Sequence, residues 1–290
     1  MTLREALLED VPEMQRFLRA RAETSMFLLS NLDAHGIGEI VHPHGSVFWL
    51  HHGAGGIDAV LGASNSGFLM VQAPDLPPAV WAEWAAVLSG RFLRGITGDD
   101  AQVRRALAAL GLRAGDLSMN ASEPLYRLEL DRLDTPPTLG PAQMRPASQA
   151  DRPMLCDWYE TYLMETGLTN DRDRAREEAA ARALTASRGG AERLLIEEGR
   201  PVAVASINAQ AGDMVQVGGV FVPGPERNRG LGGRVTAARL AEARDAGARV
   251  AILFSNNDAA SRAYESIGFE RIGDYRVSIL KRPAPAGAVA

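Results

Sequence analysis

Apolar residues along this chain follow two periods, and the places where one gives way to the other mark its elements. Apolar runs of roughly four to eight residues predict strands. In the first half they fall at residues 46–51, 57–63, 67–71, 92–96 and 125–130, and in the second at 194–198, 202–209, 214–222, 249–254 and 275–280. Apolar positions three and four apart predict helices at 11–22, around Trp81 and Trp84, and at 102–110, 152–165, 174–187 and 257–267. Strands interspersed with helices in this way describe an α/β chain.

The pattern occurs twice. Leu3-Arg4, Ala6, Asp10 and Pro12 recur as Met144-Arg145, Ala147, Asp151 and Pro153 at a constant offset of 141. Each set reads as a short strand, an Asp cap and a Pro early in a helix. Further on, Arg105-Ala106-Leu107 with Leu110-Gly111-Leu112 matches Arg262-Ala263-Tyr264 with Ile267-Gly268-Phe269 at an offset of 157, so the second copy carries a 16-residue insertion. Between the copies, residues 131–141 hold Pro136, Pro137, Gly140 and Pro141, which oppose helix and strand and favour an extended spacer. The expected division is a domain over 1–130, a linker over 131–142, a domain over 143–282 and a frayed tail over 283–290.

Chemistry concentrates in the second copy. The strand at 214–222 enters a turn rich in Gly and Arg, and a helix-period segment leaves it. The first amides of a helix have no acceptor within it, and the helix dipole adds positive potential there, so such a turn suits a phosphate. Gly230, Gly232 and Gly233 let an anion approach the backbone, and Arg227, Arg229 and Arg234 supply positive charge. No Lys-Ser or Lys-Thr follows the glycines, which excludes a P-loop, and Val235 stands where a dinucleotide loop needs its third glycine. Some thirty residues on, Asn257 offers a helix cap, Ala260, Tyr264 and Ile267 share one helix face, and Gly268-Phe269 closes that helix.

Arg227-x-x-Gly230-x-Gly232 and the run from Asn257 through Tyr264 to Gly268-Phe269 together resemble the two signatures of the GCN5-related N-acetyltransferases, the GNAT superfamily. The resemblance implies two tandem GNAT-like domains, each a mostly antiparallel twisted sheet flanked by helices. It further implies acetyl-CoA as donor and a primary amine of a small molecule or peptide as acceptor. Its diphosphate would rest on Arg227, Asn228, Arg229, Gly230, Leu231, Gly232 and Gly233, its pantetheine arm on the backbone of Phe221 and Val222 and on Asn257. Tyr264 is then the general acid for the departing thiolate. The strand at 214–222 holds no carboxylate or histidine, and no general base is assigned. The loop is also one residue longer than the family pattern between Pro223 and Arg227.

The first copy departs from this scheme. Asp75-Leu76-Pro77-Pro78 replaces the glycine turn, two prolines removing amide donors, and Leu107 replaces the tyrosine. The first domain is therefore expected to keep the fold without binding coenzyme A. The aromatics Trp158, Tyr159 and Tyr162 of the 152–165 helix either line an acceptor cleft or pack on the sheet.

Composition narrows the rest. The chain has 290 residues, 46% hydrophobic and 23% charged, with a net charge of −5, giving no general pull on nucleic acid or anionic membrane. One cysteine, Cys156, makes no internal disulfide, and no run approaches the ~18 apolar residues of a membrane span, so a cytoplasmic protein is expected. All five histidines lie between His35 and His52, adjacent ones on opposite strand faces, and no metal is expected. Two other readings stay open beside the N-acetyltransferase: transfer from a longer acyl-CoA, and a non-enzymatic coenzyme A sensor.

Overall fold

The computed structural model describes residues 3–135 and 143–287, so most of the proline-rich stretch lies outside the described residues. The chain forms two compact units: residues 1–123 with 274–290, and residues 124–273. The division expected on sequence differs from this one at residues 124–142 and 274–290.

The first unit contains β1 (Arg4–Glu5), α1 (Val11–Arg19), α2 (Ala22–His35), β2 (Ser46–Gly53), β3 (Gly56–Ser64), β4 (Phe68–Gln72), α3 (Pro78–Val87), β5 (Phe92–Asp99) and α4 (Asp100–Ala109). Then comes β6 (Leu117–Glu129), which begins in the first unit and ends in the second. The second unit continues with β7 (Gln143–Pro146), α5 (Arg152–Glu165), α6 (Arg172–Ser187), β8 (Glu192–Glu197), β9 (Arg200–Ala211), β10 (Met214–Phe221), α7 (Leu231–Asp245), β11 (Val250–Phe254) and α8 (Asp258–Glu265). The last strand is β12 (Glu270–Pro285). Helix α2 carries apolar residues on most of its circumference and was not apparent from periodicity.

The strands of the two units share one plan. Strands β1-β2-β3-β4 pair antiparallel and β4-β5 parallel in the first unit, while β7-β8-β9-β10 pair antiparallel and β10-β11 parallel in the second. The repeated motifs are also alike in detail. Arg4 binds both oxygens of Asp10 at 2.7 and 2.6 Å, and Arg145 binds both of Asp151 at 2.7 Å. In each copy the aspartate also accepts the N–H three residues back, from Leu7 and Ser148, at 2.8 Å. Helices α4 and α8 stop in the same way, at left-handed Gly111 and Gly268, with Leu112 N–H bonded to Leu107 O (3.0 Å) and Phe269 N–H to Tyr264 O (3.2 Å).

The closing strands are exchanged. Residues 125–130 were expected to close the first domain, yet Leu125 to Glu129 pair antiparallel with Phe254 to Val250 of β11 in the second unit. Residues 275–280 were expected to close the second domain, yet Tyr275 to Ile279 pair antiparallel with Asp99 to Gly95 of β5 in the first. Pro124, which has no N–H to give a ladder, stands at the change, and its carbonyl accepts Ser255 N–H at 3.1 Å. The expected tail is also tied down as far as it is described: Ala284 and Pro285 pair with Leu93 and Phe92, and Ala286 N–H bonds Arg91 O at 2.8 Å. Leu130, the last residue of the expected first domain, is fully buried in the second unit, and its N–H bonds Arg249 O at 2.8 Å.

Each unit has its own core. In the first, Trp81 and Trp84 meet edge to face with centroids 5.8 Å apart, packed with Ile96, Val103 and Leu280 of β12. In the second, one sheet face carries α7 and α8 through Leu240, Ile267 and Phe269 against Tyr126, Leu128 and Leu253. The other carries α5 and α6, where buried Ala175, Ala179, Ala183 and Ala186 hold the helices close beneath Leu155 and Tyr159.

The exchange has a direct consequence. Ending the chain after Gly273 should expose the β5 edge, raising hydrogen exchange in 3–123 far more than in 143–273; equal effects on both would contradict the pairing. The arginine pairs have another: Arg145 hydrogen bonds hold the buried Asp151 carboxyl down to about 2, so its stabilisation is present above the ordinary carboxylate range and lost as pH falls toward 2. Asp151→Asn should cost about 2 kcal/mol at pH 7, with the difference from wild type closing near pH 2, as read by denaturant unfolding.

Candidate active site

The parallel pair of the second unit is short. Met214, Val215 and Gln216 pair with Val250, Ala251 and Ile252, and the ladder ends there. Past Gln216 the register of β10 against β9 shifts twice, between Gln216 and Val217 and between Gly218 and Phe221, with Gly219 at φ 59. A left-handed residue inside a strand is a bulge, and it bends the strand off its line. Leu253 and Phe254 of β11 keep their partners on the other side, Tyr126 and Leu125. A slot thus opens between the carboxyl ends of β10 and β11. In the first unit the corresponding strands stay together, Phe68 to Val71 pairing continuously with Gly95 to Gly98.

Beyond β10, a short 3-10 turn (Gly224–Glu226) leads through Asn228 at φ 63 to Gly230 at φ 71, ψ 9, which caps α7. The three expected glycines serve three purposes. Gly230 supplies the left-handed cap, a conformation costly for a residue with a Cβ. A Cβ at Gly232 would meet nothing within 4 Å, leaving open space before the first amides of α7. A Cβ at Gly233 would lie 3.3 Å from Ala263 O of α8, so this glycine permits helix contact rather than anion approach. Leu231 turns inward and is buried.

The arginines are not a bare positive patch, which corrects the expectation from their sequence. Arg227 donates to Glu165 at 2.6 Å and to the carbonyl of Val222 at 3.0 Å. Arg229 bonds Glu197 at 2.7 Å and also Glu226, and Arg234 bonds Glu197. Burial pushes the Glu197 carboxyl upward, but Arg229 and Arg234 outweigh it and hold the group below its usual range.

Asn257 caps α8, accepting Ala260 N–H at 2.9 Å while its own amide donates to Asn256 at 2.7 Å. Tyr264 lies on the buried face of α8, edge-on to Phe269 at 6.1 Å, in the cluster with Val215 and Val217 of β10 and Leu253 of β11. That places it under the parting strands. Phe221 is buried at the far side of the bulge against Trp158 and Tyr162, with ring centroids 5.9 and 6.4 Å away. Val222 is half-buried beside Leu231 and Val235. The aromatics of α5 therefore pack on the sheet, Trp158 and Tyr159 fully and Tyr162 in part. The histidines stay in the first unit, where His35 stacks on His42 at 4.0 Å and His51 bonds Asp58 at 2.6 Å; among the described residues no group has the geometry of a metal site.

Two residues of the site were not anticipated. Arg182 of α6 lies with its guanidinium 4.5 Å over the Tyr159 ring and 5.4 Å from the Tyr162 centroid, and a Cβ on Gly219 would run into it. Gln216 is buried, its amide donating to Val217 O at 2.8 Å and its carbonyl oxygen having no partner. Arg182 falls three residues after Ala179 and one before Ala183, on the buried stripe of α6, and that spacing was the available signal.

Residues 152–269 match the model of the acetyltransferase (GNAT) family. The slot, turn and helix just described all fall within this GNAT-family domain. No curated protein matches the chain. Among solved structures, a Drosophila protein is 14% identical, with 96% of this chain and 98% of that one covered at a TM-score of 0.60. A GCN5-related N-acetyltransferase from Kribbella flavida is 18% identical, with coverage of 93% and 96% and a TM-score of 0.55. A tandem GNAT protein from the clavulanic acid biosynthesis pathway is 14% identical, with 99% of each chain covered and a TM-score of 0.51. At these identities the likeness is one of fold, and it extends over both units.

If Arg182 is held by the two rings as described, removing either should loosen it. Tyr159→Leu is expected to lower stability by roughly 2–4 kcal/mol, because it deletes buried aromatic area and the cation–π contact together. Unfolding within a few tenths of wild type would contradict the packing.

Proposed function

We propose that the second unit transfers an acetyl group from acetyl-CoA to a primary amine. The observation that carries this reading is the slot between β10 and β11 opening onto the amide end of α7. The pantetheine arm carries two amides, and they would pair with the strand backbone where β10 leaves β11. The diphosphate would sit before the first amides of α7 at Gly232, where space is open. Asn228, Arg229 and Gly230 shape that turn, and Arg227 fixes its entry by holding Val222 O. With the Asn257 oxygen on the helix cap and one side-chain N–H on Asn256, its other side-chain N–H would serve the arm.

The reaction forms one N–C bond and breaks one C–S bond. The amine nitrogen attacks the thioester carbonyl, the amine proton leaves to solvent, and the thiolate leaves with the Tyr264 proton, which solvent restores. A phenol of ordinary pKa near 10 giving its proton to a thiolate near 8.5 works about 2 kcal/mol uphill, small within a catalysed barrier. No residue is assigned as base. Transfer from a longer acyl-CoA uses the same slot, and a coenzyme A sensor would use the same turn; Tyr264 beneath the slot favours catalysis over sensing.

The first unit does not enter this scheme: its parallel strands stay paired, Pro77 and Pro78 begin α3, and Leu107 occupies the tyrosine position. Calorimetry should therefore give one coenzyme A per chain, and two would overturn this assignment. Tyr264→Phe should lower kcat by roughly 10²- to 10⁴-fold with little change in the KM for acetyl-CoA; near-full activity removes Tyr264 from the chemistry. Gly232→Glu should raise that KM by at least about tenfold while leaving the fold intact, since its side chain enters open space and carries charge to the phosphate seat.

A further inference from the structure

We propose that the amine acceptor also carries a carboxylate, seated on Arg182 above the glycine bulge of β10. This inference rests on the acetyltransferase reading and names the substrate class of the same site.

Arg182 differs from the arginines around it. Arg227, Arg229, Arg234, Arg174 and Arg176 all have carboxylate partners. Arg182 is half-buried and has two tyrosine rings on its faces but no carboxylate partner among the described residues. The rings cover the guanidinium and the Tyr159 hydroxyl engages part of its edge, which leaves other N–H groups of the fork that grips a carboxylate. A cation taken partly out of water without an anion is costly, and a bound carboxylate would offset that cost.

The position fits an acceptor. Gly219 is the bulge residue, and the guanidinium occupies the room that a side chain there would need. The charge therefore sits against the backbone where the slot opens. The same sheet face carries a polar neighbour: the Gln216 side chain, only 3% exposed, has a carbonyl oxygen buried without a donor, and a Cβ on Gly218 would meet its nitrogen and the Asn208 amide. A carboxylate on the arginine leaves the amine end of a small amino acid directed toward the slot. A polyamine brings a second cation to the arginine and is repelled there.

The test uses the full chain, saturating acetyl-CoA and matched acceptor pairs: glycine with glycinamide, β-alanine with β-alaninamide, 4-aminobutyrate with its amide, and putrescine as a dication. Thiol release is the readout. The acids are expected to exceed their amides in kcat/KM by roughly 10- to 100-fold, the worth of a hydrogen-bonded charge pair. Arg182→Gln should bring acid and amide to near parity, Arg182→Lys should restore part of the preference, and calorimetric coenzyme A binding checks that each variant is folded. Amides matching acids in the wild type, an Arg182→Gln loss equal in both series, or no acid being consumed would each overturn the carboxylate. A chain that binds no coenzyme A and acetylates nothing fails the acetyltransferase reading itself, whereas one that acetylates acids and amides alike fails only this inference.

Discussion

The second unit depends on a pair of parallel strands that stop pairing. A strand inside a sheet ordinarily satisfies its amides on both sides, and leaving them open costs free energy unless something else bonds them. Here β10 gives up its β11 partner after Gln216, and the left-handed Gly219 is what lets the backbone turn away. The consequence is a stretch of main chain in the middle of a fold that is already extended and spaced for hydrogen bonding. A ligand made of amides is the natural complement to it. Glycines, helix cap and tyrosine all take their places from that opening.

The first unit supplies the comparison, since it has the same strand plan and the same Arg–Asp clasp at its start. At its parallel pair the strands stay in contact: a Cβ at Gly98 would lie 2.9 Å from Val71 O, where the second unit is parted. Thus glycine serves opposite ends in the two copies. In β10 it admits a bend, and in β5 it admits close approach. A duplicated fold has kept its core in both halves and its opening in one.

The helix–strand alternation, the repeat, the glycine turn and the buried tyrosine were all legible in the sequence, because each rests on local pattern: periodicity, capping residues and a left-handed turn. Partners were not. Residues 125–130 and 275–280 read plainly as strands, but a strand's apolar pattern says which face is buried and not which edge it joins, so their exchange between units had no local mark beyond Pro124. The arginines of the turn read as free charge because Glu165 and Glu197, which bind them, are 62 and 32 residues away in the chain. Arg182 was hidden for the same reason: its tyrosines are on another helix.

Those acidic partners alter how the turn must work. Three arginines and three glutamates, Glu165, Glu197 and Glu226, make the loop close to neutral, so it exerts little pull on a distant anion through salt water. What remains is short-ranged: oriented amides at the start of α7, together with arginine side chains already held in place. A diphosphate reaching that position would accept hydrogen bonds from groups fixed before its arrival, which lowers the ordering cost of binding. The glutamates hold Arg229 and Arg234 in place, where on the proposed reading phosphates would take over as partners. On the proposed reading, selectivity for coenzyme A would come from geometry at close range and not from the net charge of an acidic chain.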